Sequence, residues 1–215
     1  MIIKIVGAEP AFRLSEARRY AGCRQGSPEI DRLIRETLEE VRPVVSYTLC
    51  YTLLPVVQEP DNRLCIGPMS VRSGALSKAL HGCDSALLLA STLGVGIDRL
   101  ILRYSRLEPS KSVILQGIGA ERIESFLDAF CQGAESRIFS GRYTLRPRVS
   151  PGYGDIPLAM QTDIFSILDC NRLLGLTLNA GFLMSPSKSV TAIAGISHLP
   201  ENQKKNESRE SSAER

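Results

Sequence analysis

The chain has 215 residues, 43% of them apolar and 23% charged, with 26 basic against 23 acidic side chains and a formal charge of +3. At this length folding removes roughly 70% of the unfolded chain's surface from water, enough for one sizeable core, so disorder, collagen and coiled coil are excluded. No stretch is basic enough to form an electrostatic footprint for nucleic acid.

The opening Met1-Ile2-Ile3-Lys4-Ile5-Val6-Gly7 is too short and too soon interrupted for a secretory signal. The longest uncharged apolar stretch, Ser85 to Ile97, falls short of the ~20 residues a membrane span needs. The expectation is a cytoplasmic protein that does not engage a membrane. Six cysteines lie scattered without a C-x-x-C pair, and there are only two histidines. They read as reduced, mostly buried thiols rather than disulfides or zinc ligands.

In chain order, Ser27 reads as a helix cap with Pro28 at the first helical position. Ile30, Leu33, Ile34, Leu38 and Val41 then share one face until Pro43. Val45, Tyr47, Leu49, Tyr51 and Leu53 alternate with Ser46, Thr48, Cys50 and Thr52, the period of a half-buried strand. Ser73 to Leu80 predicts a short helix closed by Gly82, and Ala86 to Ala90 a buried strand. Val95 to Ser105 and Pro109 to Cys131 predict two helices. The second is weakened at Gly117 and Gly119, where either close packing or a bound ligand explains the missing side chains.

Ile138 to Leu145 reads as a strand, Ser150 to Asp155 as a loop, and Leu158 to Leu168 as a helix with Met160, Ile164, Ile167 and Leu168 on one face. Short strands are expected near Leu176 to Leu178, Phe182 to Met184 and Val190 to Ile196, separated by turns at Asn179-Ala180-Gly181 and Ser185-Pro186-Ser187. Residues 199–215 are polar and charged and read as a disordered tail. Strands and helices do not alternate regularly, so the chain reads as one α+β domain over 1–198 rather than a doubly wound parallel sheet.

Most familiar chemistry lacks its residues. Gly94-Val95-Gly96 opens a helix, but Arg99 stands where a dinucleotide fingerprint needs its third glycine, so a glycine turn is the reading. His81 lies at a helix end and His198 borders the tail, both in structural roles. Asp163 and Asp169 point to different helix faces, and no acid and base pair or metal ligand set is visible. The segment Arg146 to Asp155 remains. Pro151 stiffens it, Gly152 and Gly154 permit close backbone approach, and Arg148 offers a planar fork for a carboxylate or phosphate. It suits a small ligand carrying a carboxylate and a flat ring, or else is a rigid turn with Asp155 capping the following helix.

Arg148-Val149-Ser150-Pro151-Gly152-Tyr153 resembles the R-x-x-x-G-Y motif of the activation domain of cobalamin-dependent methionine synthase. Met184-Ser185-Pro186-Ser187-Lys188-Ser189-Val190-Thr191 resembles that domain's second element, M-x-P-x-x-S-V-[ST], in the same order. Tyr20-Ala21-Gly22-Cys23 and the strand around Tyr47 look like the free-standing members of the family. The resemblance implies a twisted antiparallel sheet with flanking helices that binds S-adenosylmethionine. It also implies support of reductive methylation of cob(II)alamin, with the cobalamin carried by a separate methionine synthase or related corrinoid protein and the electron supplied by a flavodoxin-like donor. Orientation does most of the work in such a transfer, so no catalytic side chain is expected.

By position, the resemblance gives Arg148 the methionyl carboxylate, and Ser150 and Gly152 backbone contacts to the nucleoside. Tyr153 would line the same cleft, and Pro186, Ser187 and Ser189 would form the facing wall. Lys188 would stand near the cleft, serving a carboxylate or simply solvated. After Tyr153 the family's P-x-C-P-like turn is replaced by Gly154-Asp155-Ile156-Pro157, and the family's later tyrosine is replaced within Ala192 to Gly195. These departures leave a second expectation, a module that docks on a corrinoid protein without binding S-adenosylmethionine.

Overall fold

The computed structural model describes residues 1–23, 25–138 and 143–198. The expected tail, 199–215, lies outside them. Seven strands form one sheet in which every pairing is antiparallel, in the order β4-β3-β2-β5-β9-β6, with β1 on the outer edge of β2. The strands are β1 (Ile3–Val6), β2 (Thr48–Gln58), β3 (Arg63–Ile66), β4 (Met69–Arg72), β5 (Ser85–Thr92), β6 (Tyr143–Leu145) and β9 (Ser189–His198). A two-stranded ribbon, β7 (Thr177–Leu178) and β8 (Met184–Ser185), stands apart. The α+β expectation holds.

Helices cover both faces. On one side α1 (Leu14–Tyr20), α2 (Pro28–Val41), α4 (Gly96–Leu107) and α5 (Pro109–Arg137) pack on Leu49, Tyr51, Leu87, Leu89, Ala192 and Ala194. On the other, α3 (Gly74–Ala79), α6 (Met160–Leu168) and α7 (Cys170–Leu174) pack on Cys50, Ala86, Leu88, Ala90 and Ile193. Strand β5 alternates between the two cores, so it is apolar throughout.

This corrects the reading of β2 as half-buried, because Cys50 is fully buried and Thr52 is 6% exposed. Its smaller residues face the second helical layer, and Thr52 donates its hydroxyl to the Met1 carbonyl. Strand β2 also continues through Pro55. Its outer edge pairs with β1 up to Tyr51 and with β3 from Val56, so Pro55 sits where no ladder needs its missing N–H.

Ser27 caps α2 by accepting from the Ile30 N–H, and the chain turns at Arg42–Val44. Ile138 ends α5 rather than opening a strand, which begins at Tyr143, and 139–142 lie outside the described residues. Close packing accounts for Gly117, where a Cβ would lie 2.7 Å from the Ala17 carbonyl of α1 and from Ala21 Cβ at that helix's C-cap. Gly96 fits a turn in the same way, since a Cβ there would meet the Val44 carbonyl at 1.9 Å. All six cysteines are free, with Cys50, Cys83 and Cys170 buried.

A buried ion pair sits midway along α5. Arg122 Nε and Nη2 donate to the Glu121 carboxylate at 2.6 and 2.8 Å, and both side chains are fully buried. The remaining Arg122 donors reach the Pro10 and Ala11 carbonyls, each at 2.8 Å. Glu121 Oε1 accepts in addition from the Arg13 N–H and the Ser125 hydroxyl. Glu121→Ala would leave the buried guanidinium without its nearest counter-charge, with only Glu9 at 3.6 Å from Nη1, and urea denaturation is expected to show a loss of about 3–5 kcal/mol.

Candidate functional site

After β6 the chain continues along β9. The Arg146 N–H donates to the Gly195 carbonyl, and Val149 exchanges two backbone hydrogen bonds with Ile193. Alternation on this short extended segment sends Val149 into the core beneath α6 and turns Arg148 and Ser150 toward α5. The loop then closes on itself. Tyr153 N–H donates to the Ser150 carbonyl, Ile156 N–H to the Tyr153 carbonyl and Gly152 N–H to the Ile156 carbonyl. Gly152 and Gly154 take φ of +87° and +56°, which side-chain-bearing residues rarely adopt.

Asp155 does not cap the helix that follows it, which begins at Met160 after Ala159. Its carboxylate instead caps α3 from outside, accepting from Ser73 Oγ at 2.5 Å and from the Gly74 and Ala75 N–H groups at 2.7 and 3.0 Å. These bonds hold its carboxyl below its usual pKa of 3.8.

The second element is equally ordered. Asn179 Oδ1 accepts from the Gly181 and Leu183 N–H groups and fixes the β7–β8 turn, and the Ser185–Pro186 peptide is cis. A directed chain of bonds follows, from Gly94 N–H to the Thr92 hydroxyl, on to the Ser189 hydroxyl and then to the Pro186 carbonyl. The Ser187 N–H donates to the Asp98 carboxylate of α4. Lys188 neither reaches a carboxylate nor lies free in solvent. Its stem crosses Gly119, where a Cβ would lie 2.9 Å from Lys188 Cε, and its ammonium donates to Gln116 Oε1. Burial holds that ammonium below its usual pKa.

Where the two elements meet α5, a cleft of 340 Å³ opens, lined by Glu124, Asp128, Pro147, Arg148, Ser150 and Val190. A second hollow of 270 Å³ adjoins it beyond Arg148, along Cys131, Gln132 and Leu145. Arg148 is 19% exposed and donates to Asp128 at 2.8 Å, to Glu124 at 3.1 Å and to the Cys131 sulfur at 3.5 Å. Burial opposes its charge, but the bonds to Asp128 and Cys131 outweigh it and hold the guanidinium above its usual pKa. Asp128 also bridges to Arg13 Nη1 at 2.9 Å.

Of the residues singled out in the sequence, Arg148 and Ser150 line this cleft. Gly152 and Tyr153 do not, since the loop turns Tyr153 outward to 65% exposure. Pro186, Ser187 and Ser189 are also absent from the lining. Ser189 is 7% exposed, with its hydroxyl spent inside the turn. The second element contributes Val190 in their place. Glu124 and Asp128 were not foreseen, although their i,i+4 spacing on a predicted helix puts two carboxylates on one face. Among the described residues no group of three or more His, Cys, Asp or Glu is placed to hold a metal ion.

No family model and no curated protein matches the sequence. The fold does have a solved counterpart. The chain is similar to a structure described as the MetH reactivation domain bound to AdoHcy, at 14% identity and a TM-score of 0.64, covering 91% of this chain and 78% of that one. Among the described residues no helix is long and apolar enough to cross a membrane.

Because the Asp155 carboxyl titrates lower when folded, the stability it contributes is present above pH 4 or so and is lost as pH falls through its depressed value. The protection of the Gly74 and Ala75 amides, taken relative to their intrinsic exchange rates at each pH, is expected to fall on acidification through that range. In Asp155→Asn that protection should already be low at neutral pH.

Proposed function

We propose that the chain binds S-adenosylmethionine in the cleft beside Arg148 and serves as an accessory activation protein for a separate cobalamin-dependent methionine synthase or related corrinoid protein. The observation that carries this reading is the meeting of both sequence elements at one cleft, in a fold whose solved counterpart is described with AdoHcy bound.

The charges of the cleft suit such a ligand. The methionyl end of S-adenosylmethionine carries a carboxylate, an ammonium and a sulfonium, and so needs both signs of partner. Arg148 offers a fork for the carboxylate, and Glu124 and Asp128 offer anions for the cationic groups. Ligand binding is then an exchange, in which Arg148 trades bonds within the chain for bonds to ligand while Arg13 keeps Asp128 oriented. The ligand supplies an electrophilic methyl group. This chain's residues hold and orient it and leave the nucleophile to the partner.

A second reading rests on a specific observation. Arg148 is already satisfied by Glu124 and Asp128, and Tyr153 faces solvent. A module that keeps the fold and docks on a corrinoid protein without S-adenosylmethionine fits those facts, and it predicts docking indifferent to added ligand.

Calorimetric titration separates the two. One site of micromolar affinity is expected, weakened in Arg148→Ala by about 1.5–3 kcal/mol, or roughly 10- to 150-fold. Asp128 keeps its bond to Arg13 in that variant, so the fold is expected to persist. An Arg148→Ala protein that binds as tightly as the parent contradicts the site. No heat up to millimolar ligand leaves the second reading.

A further inference from the structure

Helix α4 turns one face inward and leaves the other without a partner. Ile97, Leu100, Ile101 and Tyr104 pack toward the core beside α2 and α5. The opposite ridge carries Val95, Arg99, Leu102 and Arg106, whose spacings of four, three and four residues place them in one line along the helix. Leu102 is 61% exposed and Val95 47%. Exposed Val44 flanks the foot of the ridge, its Cβ 3.0 Å from where a Gly96 Cβ would stand, and exposed Leu107 closes the far end.

A helix face that meets only water normally mixes charges of both signs. This one does not. The single acid of α4, Asp98, stands against Arg99, Arg103 and Arg106, and it already accepts from the Ser187 N–H. Arg103 lies near the Glu40 carboxylate of α2 and 5.6 Å from the Tyr104 ring. Arg99 and Arg106 make no ion pair among the described residues. Two unmatched guanidinium groups therefore alternate with two exposed apolar side chains on one line.

The rest of the chain is poorly suited to cover that line. Gly119 of α5 lies beside Ile97, and Ile138 at the end of α5 is 138 − 119 = 19 residues further on, or roughly 28 Å, so 139–142 join the described chain far from the ridge. In residues 199–215 four glutamates are balanced by Lys204, Lys205, Arg209 and Arg215, and no large apolar residue follows Leu199. A bilayer is a poor match as well, because the inward side of α4 is held by α2 and α5 and only one row of side chains could enter lipid.

We propose that the outer ridge of α4 docks an acidic amphipathic helix of a partner protein. Its apolar side chains recur every seven residues, matching the roughly 10 Å from Val95 to Leu102, and its flanking carboxylates pair with Arg99 and Arg106. The apolar pair supplies the buried contact, and the guanidinium groups set register and choice of partner. The proposal stands on this ridge alone and is independent of the S-adenosylmethionine reading, since no residue of the ridge lines that cleft.

The test is fluorescence anisotropy of a labelled synthetic helix about two heptads long, titrated with the full chain. The peptide carries leucine at every seventh position, glutamate three residues before and four after each leucine, and alanine elsewhere. Saturable binding of one peptide per chain is expected, weakening as salt is raised. Arg99→Ser combined with Arg106→Ser, and separately Leu102→Ser, should each weaken it roughly fivefold or more with Tm held. Lys4→Ser combined with Lys78→Ser removes the same charge from exposed positions elsewhere and should bind like the parent. A peptide with lysine in place of glutamate should not bind. S-adenosylmethionine titration should be unchanged in every ridge variant, so ridge and cleft succeed or fail separately. Absence of saturable binding, equal loss in the Lys4 and Lys78 control, or binding unchanged in the ridge variants overturns the proposal. Preferential adsorption to phosphatidylserine vesicles, abolished by the same ridge substitutions, overturns it in favour of a lipid surface.

Discussion

The architecture around α5 and its cleft depends on the buried pair of Glu121 and Arg122. An arginine with no exposed surface is tolerated only when its charge and its donors are matched, and here the match draws on chain far away in sequence. The Pro10 and Ala11 carbonyls and the Arg13 N–H all bond to this pair, and the Phe12 ring lies 4.9 Å from the guanidinium. The segment joining β1 to α1 is thereby clamped across the middle of α5. That clamp sets Gly7 and Glu9 against one side of the helix and brings Arg13 to Asp128 on another.

The cleft itself follows from strand alternation. Once Val149 pairs with Ile193 and faces one core, Arg148 and Ser150 must face the opposite side, where α5 carries Glu124 and Asp128. Asp155 fixes the far end of the same loop by capping α3, and the bonds from Thr92 through Ser189 to Pro186 fix the opposing turn. Neither wall relies on a long flexible loop. Backbone held in this way limits the ordering entropy of any binding there.

Much of this was legible in the sequence where local patterning and tertiary packing agree. The Ser27-Pro28 start of α2, the apolar run of β5 and the apolar face of α6 were each visible because one periodicity matched one environment. The polar side of β2 misled, because Cys50 and Thr52 are small enough to pack beneath a second helical layer while reading as solvent-facing. Asp155 misled for a related reason, since a carboxylate near a helix start is read as capping that helix and nothing local points to α3. Strands β1, β3 and β4 have four residues each, too few to show a period, and α7 has only five. Of the cleft, Arg148 and Ser150 were readable from their motif. Glu124 and Asp128 were not, because only the fold brings α5 to that loop.

The account stands or falls on what occupies the cleft, and the most direct measurement is a crystal structure of the full chain with S-adenosylhomocysteine. The predicted result is ligand between α5 and the loop after β6, with its carboxylate on the Arg148 guanidinium and its ammonium toward Glu124 or Asp128. Ligand seated elsewhere, or Arg148 still bonded only to Glu124 and Asp128 beside an empty cleft, would contradict it.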